Sequence, residues 1–111
     1  MIEQTDKRII LLMIEKIDKI MDICQRYSLK EINENFVYSD SIQYEFEKLY
    51  EDINRLSTVF KMNNPHLPFD ELRGIRNRVA HNYESVSIRI LYDIATKDFP
   101  VLKEQLLNTI K

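Results

Sequence analysis

Twelve residues, Arg73 to Glu84 (RGIRNRVAHNYE), gather three arginines, two asparagines, a histidine and a tyrosine around Gly74, the only glycine of the chain. Arg76 stays charged at any working pH and offers a planar fork of donors suited to phosphate. His81 titrates near neutrality and can give or take a proton. Asn77 can hold a phosphate oxygen or orient the imidazole. Such a set can cleave RNA without a metal. The ribose 2′-hydroxyl attacks its own phosphorus, histidine handles a proton, and arginine holds the developing negative charge.

Helix geometry limits that chemistry. On a helix of about 3.6 residues per turn, Asn77 and His81 share a face, as do Arg73 and Asn77, but Arg76 and His81 lie about 140° apart. They converge only if the helix ends near His81 or if a second chain shares the site. Asn82 suits a helix end, because asparagine tolerates the left-handed conformation there. A plainer reading stands beside the chemical one: cations near a helix C-terminus satisfy that terminus, and arginines on one turn form a solvated face.

The elements that must position these residues are helical. Ile10, Met13, Ile14, Ile17, Met21 and Cys24 recur at spacings of three and four and predict a first helix over Thr5–Tyr27. Ile9, Leu12, Ile20 and Ile23 widen its stripe, which reads as a central core helix or as one shared with a partner chain. Lys30–Phe36 reads as a helical turn. A second long helix is predicted over Asp40–Lys61, capped by Asp40 or Ser41. Its Ile42, Phe46, Leu49, Ile53, Leu56 and Phe60 suit antiparallel packing on the first. Asn63–Pro68 (NNPHLP) is the main break. Asp70 is the expected N-cap of a third helix through the arginine cluster. A fourth covers Val86–Thr96, with Ile90, Leu91, Ile94 and Ala95 inward. Asp98 and Pro100 start a fifth, which carries Leu102, Leu106 and Ile110. The expectation is an all-α bundle of about five helices in one domain, 1–111.

Composition agrees with that class. Apolar residues make up 44% and charged residues 31% of 111 residues, enough for a core. One glycine and three prolines leave little material for a many-stranded β fold. The net charge of −2 argues against a general affinity for nucleic acid, so any RNA contact must be local. A lone Cys24 excludes an internal disulfide and a cysteine zinc site, and fits a cytoplasmic protein. Ile9–Ile14 is too short to span a membrane, and no leader is visible.

With these elements in place, the stretch resembles the HEPN-domain ribonucleases, which carry Arg, four variable residues and His. Here that reads Arg76-Asn77-Arg78-Val79-Ala80-His81. The HepT-like toxin branch adds a tyrosine two places on, here Tyr83, and its usual context of Gly, Arg, Asn, His and Tyr is met by Gly74, Arg76, Asn77, His81 and Tyr83. Asn54–Ser57 (NRLS), the proline loop before the motif and the closing DFPVLKEQL are also similar, so the likeness runs from about Tyr44 onward. Phe69 departs from it, standing where the family often has tryptophan. The resemblance implies an all-helical homodimer whose motif helices meet near a two-fold axis and build one composite cleft. It implies Arg76, Asn77 and His81 as catalytic residues, RNA as substrate, no metal and no cofactor. Such toxins stop growth and are encoded beside a minimal nucleotidyltransferase antitoxin. That partner transfers AMP onto the motif tyrosine, here Tyr83, and the added charge and bulk would occupy the place of substrate phosphate. The alternative is a non-catalytic helical subunit that supports a nucleotidyltransferase.

Other residues carry less. Arg73 and Arg78 suit either RNA backbone or acidic residues of an antitoxin. His66 reads as a surface loop histidine, and one histidine makes no metal site. Cys24 reads as a small core residue. The six tyrosines are candidates for base stacking, but Tyr38, Tyr44 and Tyr50 read first as helix-packing residues.

Overall fold

The structure, a computed structural model, describes residues 2–80 and 84–111, and the backbone alone of 84–86. Its first helix, α1, spans Gln4–Arg26, one residue ahead of the predicted bounds. Ile10, Met13, Ile17 and Ile20 are fully enclosed, so the wide stripe makes α1 a central core helix. It packs against three later helices.

A short helix, α2 (Leu29–Glu34), follows through a reciprocal cap. The Ser28 hydroxyl accepts from the Glu31 amide at 3.1 Å, and the Ser28 amide donates to the Glu31 carboxylate at 3.0 Å. Those bonds hold the Glu31 carboxyl below its usual pKa.

The predicted second long helix needs correcting. It begins four residues earlier and is two helices, α3 (Phe36–Arg55) and α4 (Thr58–Asn63). Asn35 caps α3 by accepting from the Val37 amide at 3.0 Å, so neither Asp40 nor Ser41 is the cap. The chain bends at Leu56 because Ser57 is claimed from outside. Its amide and hydroxyl donate to the buried Asp6 carboxylate of α1 at 2.9 and 2.6 Å. The same hydroxyl accepts from the Phe60 amide at 3.1 Å and starts α4. Leu56 and Phe60 are both buried, so the apolar spacing continues across the bend and conceals it.

α1 and α3 run antiparallel, as expected. Lys16 meets Asp52, Lys19 meets Glu45, and the Tyr27 and Tyr38 rings stack at 4.1 Å, so one series rises as the other falls. Asp52 is nearly sealed in this seam, its side chain 3% exposed. Its two oxygens lie 2.8 Å from Lys16 Nζ and 3.0 Å from Arg55 Nη1. Removing such a partner from a buried ion pair is costly.

The motif helix, α5, spans Phe69–Ala80. Asp70 lies inside its first turn and is not its N-cap; there, with Glu71, its charge favours the positive end of the helix. Leu72 is buried, and Ile75 and Val79 are half-buried against the core, which leaves the arginines on other faces. α6 (Glu84–Lys97) buries Ile88, Leu91, Ile94 and Ala95; Ile90, expected inward, is only half-buried, and Ile88 fills the core instead. α7 (Phe99–Thr109) carries Pro100 in its first turn and buries Phe99, Leu102 and Leu106. Asp98 precedes it without a side-chain cap bond.

Among the described residues there are seven helices and no strand. The all-α expectation holds; the additional elements are the six-residue α2 and α4. No helix of the described residues is long and apolar enough to cross a membrane.

Candidate active site

Two contacts fix α5 where the arginines project. Leu72, Ile75 and Val79 seat it on the core. At its far end the buried Ser87 hydroxyl of α6 donates to the Val79 carbonyl at 3.0 Å. The bond ties this part of α5 to α6.

Arg76 leaves this helix toward α3. Its Nε lies 3.3 and 3.4 Å from the two carboxylate oxygens of Glu47. Its guanidinium carbon sits 5.3 Å from the centre of the Tyr50 ring. Nη1 is 3.5 Å from the Asn77 side-chain oxygen. Glu47 and Tyr50 are three apart on α3, so one helical face presents both. The arginine is thus oriented on three sides yet remains 40% exposed, with Glu47 48% exposed. A guanidinium has five N–H donors, so those not facing Glu47 and Asn77 are open to an anion.

Beside it lies a cleft of about 400 Å³ between α3, α5 and α6, lined by Arg76, Glu47, Gln43, Asp40, Val79 and Ser87 among others. Ala80, the last described residue before His81, is also on its wall. The expectations placed on His81, Asn82 and Tyr83 fall outside the described residues. α5 is described to Ala80 and α6 from Glu84.

The remaining candidates divide. Asn77 is exposed beside Arg76. Arg73 pairs with Asp70 at 3.0 Å, with both side chains open to solvent, and lines a neighbouring cleft of about 260 Å³. Arg78 is exposed. His66 is exposed, as expected, at the rim of an apolar cleft between α5 and α7. Among the described residues no three His, Cys, Asp or Glu side chains gather as a metal-binding group. Cys24 is buried in the core, where burial pushes its thiol up to about 11.

The spacing does not single out Glu47, and it marks Tyr50 first as a packing residue. Tyr38 does pack, on Tyr27, but Tyr44 is 60% exposed, against expectation. A signal was present: Glu47, Tyr50 and Asn54 recur at three and four beside the apolar stripe of α3. That spacing marks a second face without saying which helix lies across from it.

The model of the family described as "Ribonuclease HepT-like" matches residues 13–108. The chain belongs to this family. The match begins well ahead of Tyr44 and takes in most of α1. Among relatives, the protein named "Putative RNase MJ1216" of Methanocaldococcus jannaschii is 26% identical over 98 residues, 88% of this chain and 81% of its own length. "Probable ribonuclease HepT" of Thermococcus cleftensis is 24% identical over 94 residues, covering 81% and 86%. "Putative RNase MJ0125" of M. jannaschii is 27% identical over 82 residues, covering 70% and 71%. No solved structure matches. Membership of this HepT-like family supports ribonuclease activity, with RNA as substrate.

Proposed function

We propose that the chain is a metal-independent endoribonuclease and the toxin of a toxin–antitoxin pair. Arg76, Asn77 and His81 form its site, completed in a homodimer. The observation that carries this reading is the state of Arg76. Its guanidinium is oriented by Glu47, Tyr50 and Asn77 at the edge of a polar cleft, yet is open enough to take a phosphate. An arginine serving only the helix end would instead turn to backbone carbonyls, whereas Arg76 donates to the side chains of Glu47 and Asn77.

In the reaction, the ribose 2′-oxygen attacks the adjacent phosphorus and the bond to the 5′-oxygen breaks. His81 takes the hydroxyl proton or supplies one to the leaving oxygen. Arg76 holds the negative charge that gathers on the phosphoryl oxygens. The products are a 2′,3′-cyclic phosphate and a free 5′-hydroxyl. Arg76 and His81 diverge on one regular helix, and contributions from two chains resolve that divergence. A nucleotidyltransferase antitoxin silences the site. The Tyr83 hydroxyl attacks the α-phosphorus of ATP, pyrophosphate leaves, and the AMP left on the tyrosine takes up the room of the substrate phosphate.

Purified protein should cleave single-stranded RNA in the presence of EDTA, and the new ends should carry a cyclic phosphate. His81→Ala should abolish cleavage and growth arrest while remaining a dimer by light scattering. Unchanged toxicity of that variant would overturn the assignment. Protein co-expressed with the nucleotidyltransferase should show AMP on Tyr83 by mass spectrometry, and Tyr83→Phe should lack it. A protein that never cuts RNA, yet is required for the nucleotidyltransferase to act on another substrate, would instead be a binding subunit.

A further inference from the structure

Tyr50 stands between two clefts. Its ring lies against Arg76, which lines the 400 Å³ cleft, and it also lines the separate 260 Å³ cleft between α3, α4 and the start of α5. We propose that this second cleft is a nucleotide subsite, which takes one nucleotide of single-stranded RNA next to the bond cleaved at Arg76. The identity of the ligand rests on the ribonuclease reading above.

The walls have the chemistry that a nucleotide needs. Tyr50 and Phe69 supply aromatic surface for a base to stack on. Asn54 and Asn64 supply amide groups for its edge, and Lys61 and Arg73 supply charge for its phosphate. Among the described residues, neither the Lys61 ammonium nor the Asn54 side-chain amide is engaged in any ion pair or hydrogen bond. Asn64 donates to the Phe60 carbonyl at 2.8 Å, which leaves its oxygen as an acceptor. A core-facing role needs no such set of unengaged polar groups on one cleft. Its volume lies just below the range of roughly 300–1,000 Å³ for pockets holding whole small ligands, as suits a single nucleotide.

Position ties the subsite to the reaction. Arg73 and Arg76 are three apart on α5, which places their Cβ atoms about 5–6 Å apart, within reach of neighbouring phosphates. Lys61 and Arg73 against Asp70 make this cleft locally cationic in a chain of net charge −2. That is the local contact an acidic protein needs to hold RNA. The bend at Leu56 makes it possible, because α4, which follows it, carries Lys61.

The test is fluorescence anisotropy with labelled single-stranded RNAs of increasing length, on full-chain His81→Ala protein so that the RNA stays intact. Affinity should step up on the order of tenfold when the RNA becomes long enough to fill the second cleft. Lys61→Gln, at a half-buried position, and Asn54→Ala, at an exposed one, should remove that step without moving the melting temperature. In the cleaving protein the same substitutions should raise KM and leave kcat unchanged. A flat length series, or a step that survives both substitutions, overturns the subsite. So does a loss confined to binding of a partner protein. The ribonuclease reading fails separately, on parent protein that does not cut RNA at all.

Discussion

Replacing Arg76 separates a catalytic guanidinium from a structural one. The structure bounds what Arg76→Ala can cost the fold. Its ion pair with Glu47 is 40% and 48% exposed, a setting in which such pairs contribute about 0.2–1 kcal/mol. Its approach to Tyr50 adds about 0.5–1 kcal/mol at an exposed position. Glu47 is left in solvent, so no buried charge is stranded. The loss should stay below about 2 kcal/mol, and at roughly 4–8 °C per kcal/mol for a small domain the melting temperature should fall by no more than about 15 °C. Against that, removing one donor that stabilises charge in the transition state lowers kcat about 10²–10³-fold. Circular-dichroism melts and single-turnover cleavage of labelled RNA read the two quantities on the same preparation. Arg76→Lys keeps the charge without the planar fork and should lie between parent and alanine variant in rate. Glu47→Ala loses the same ion pair, so it should match that share of the stability loss with a far smaller fall in cleavage. Cleavage by Arg76→Ala within threefold of the parent refutes the reasoning, and so does an unfolded Arg76→Ala protein.

Asp52→Ala should do the reverse. It strands Lys16 in the α1–α3 seam and should cost about 3–5 kcal/mol, seen as a lowered urea midpoint. Cys24 sets an alkaline limit on stability. Its thiol ionises near 9 when unfolded and only at about 11 in the fold, so the unfolded chain loses its proton first. Unfolding free energy should therefore fall between pH 9 and 11, and Cys24→Ala should flatten that part of the profile. Gly74 sits inside α5 with a helical backbone, and a Cβ there would meet nothing within 4 Å. Gly74→Ala should then stabilise the chain by about 0.5–1 kcal/mol in denaturant titrations; a loss instead would mean that another body packs on this face.

The apolar spacing placed α1, α6 and α7 to within a few residues, because burial of one helical face is written locally, three and four residues at a time; the proline break and Asp70 placed α5. The motif from Gly74 to Tyr83 was legible for the same reason: it is a short pattern of residue types. The split of α3 from α4 was not. Leu56 and Phe60 keep their apolar phase through it, and its cause is Asp6, 51 residues away, reaching Ser57. Tyr50 showed in sequence first as a packing residue, and Glu47 as one more charge on a solvated face. Arg76 lies 29 residues beyond Glu47, and the three meet only because burial of Leu72, Ile75 and Val79 lays α5 across α3. Sequence spacing names the groups on each helix face; which faces meet, and so what holds the arginine, depends on how the apolar stripes pack together.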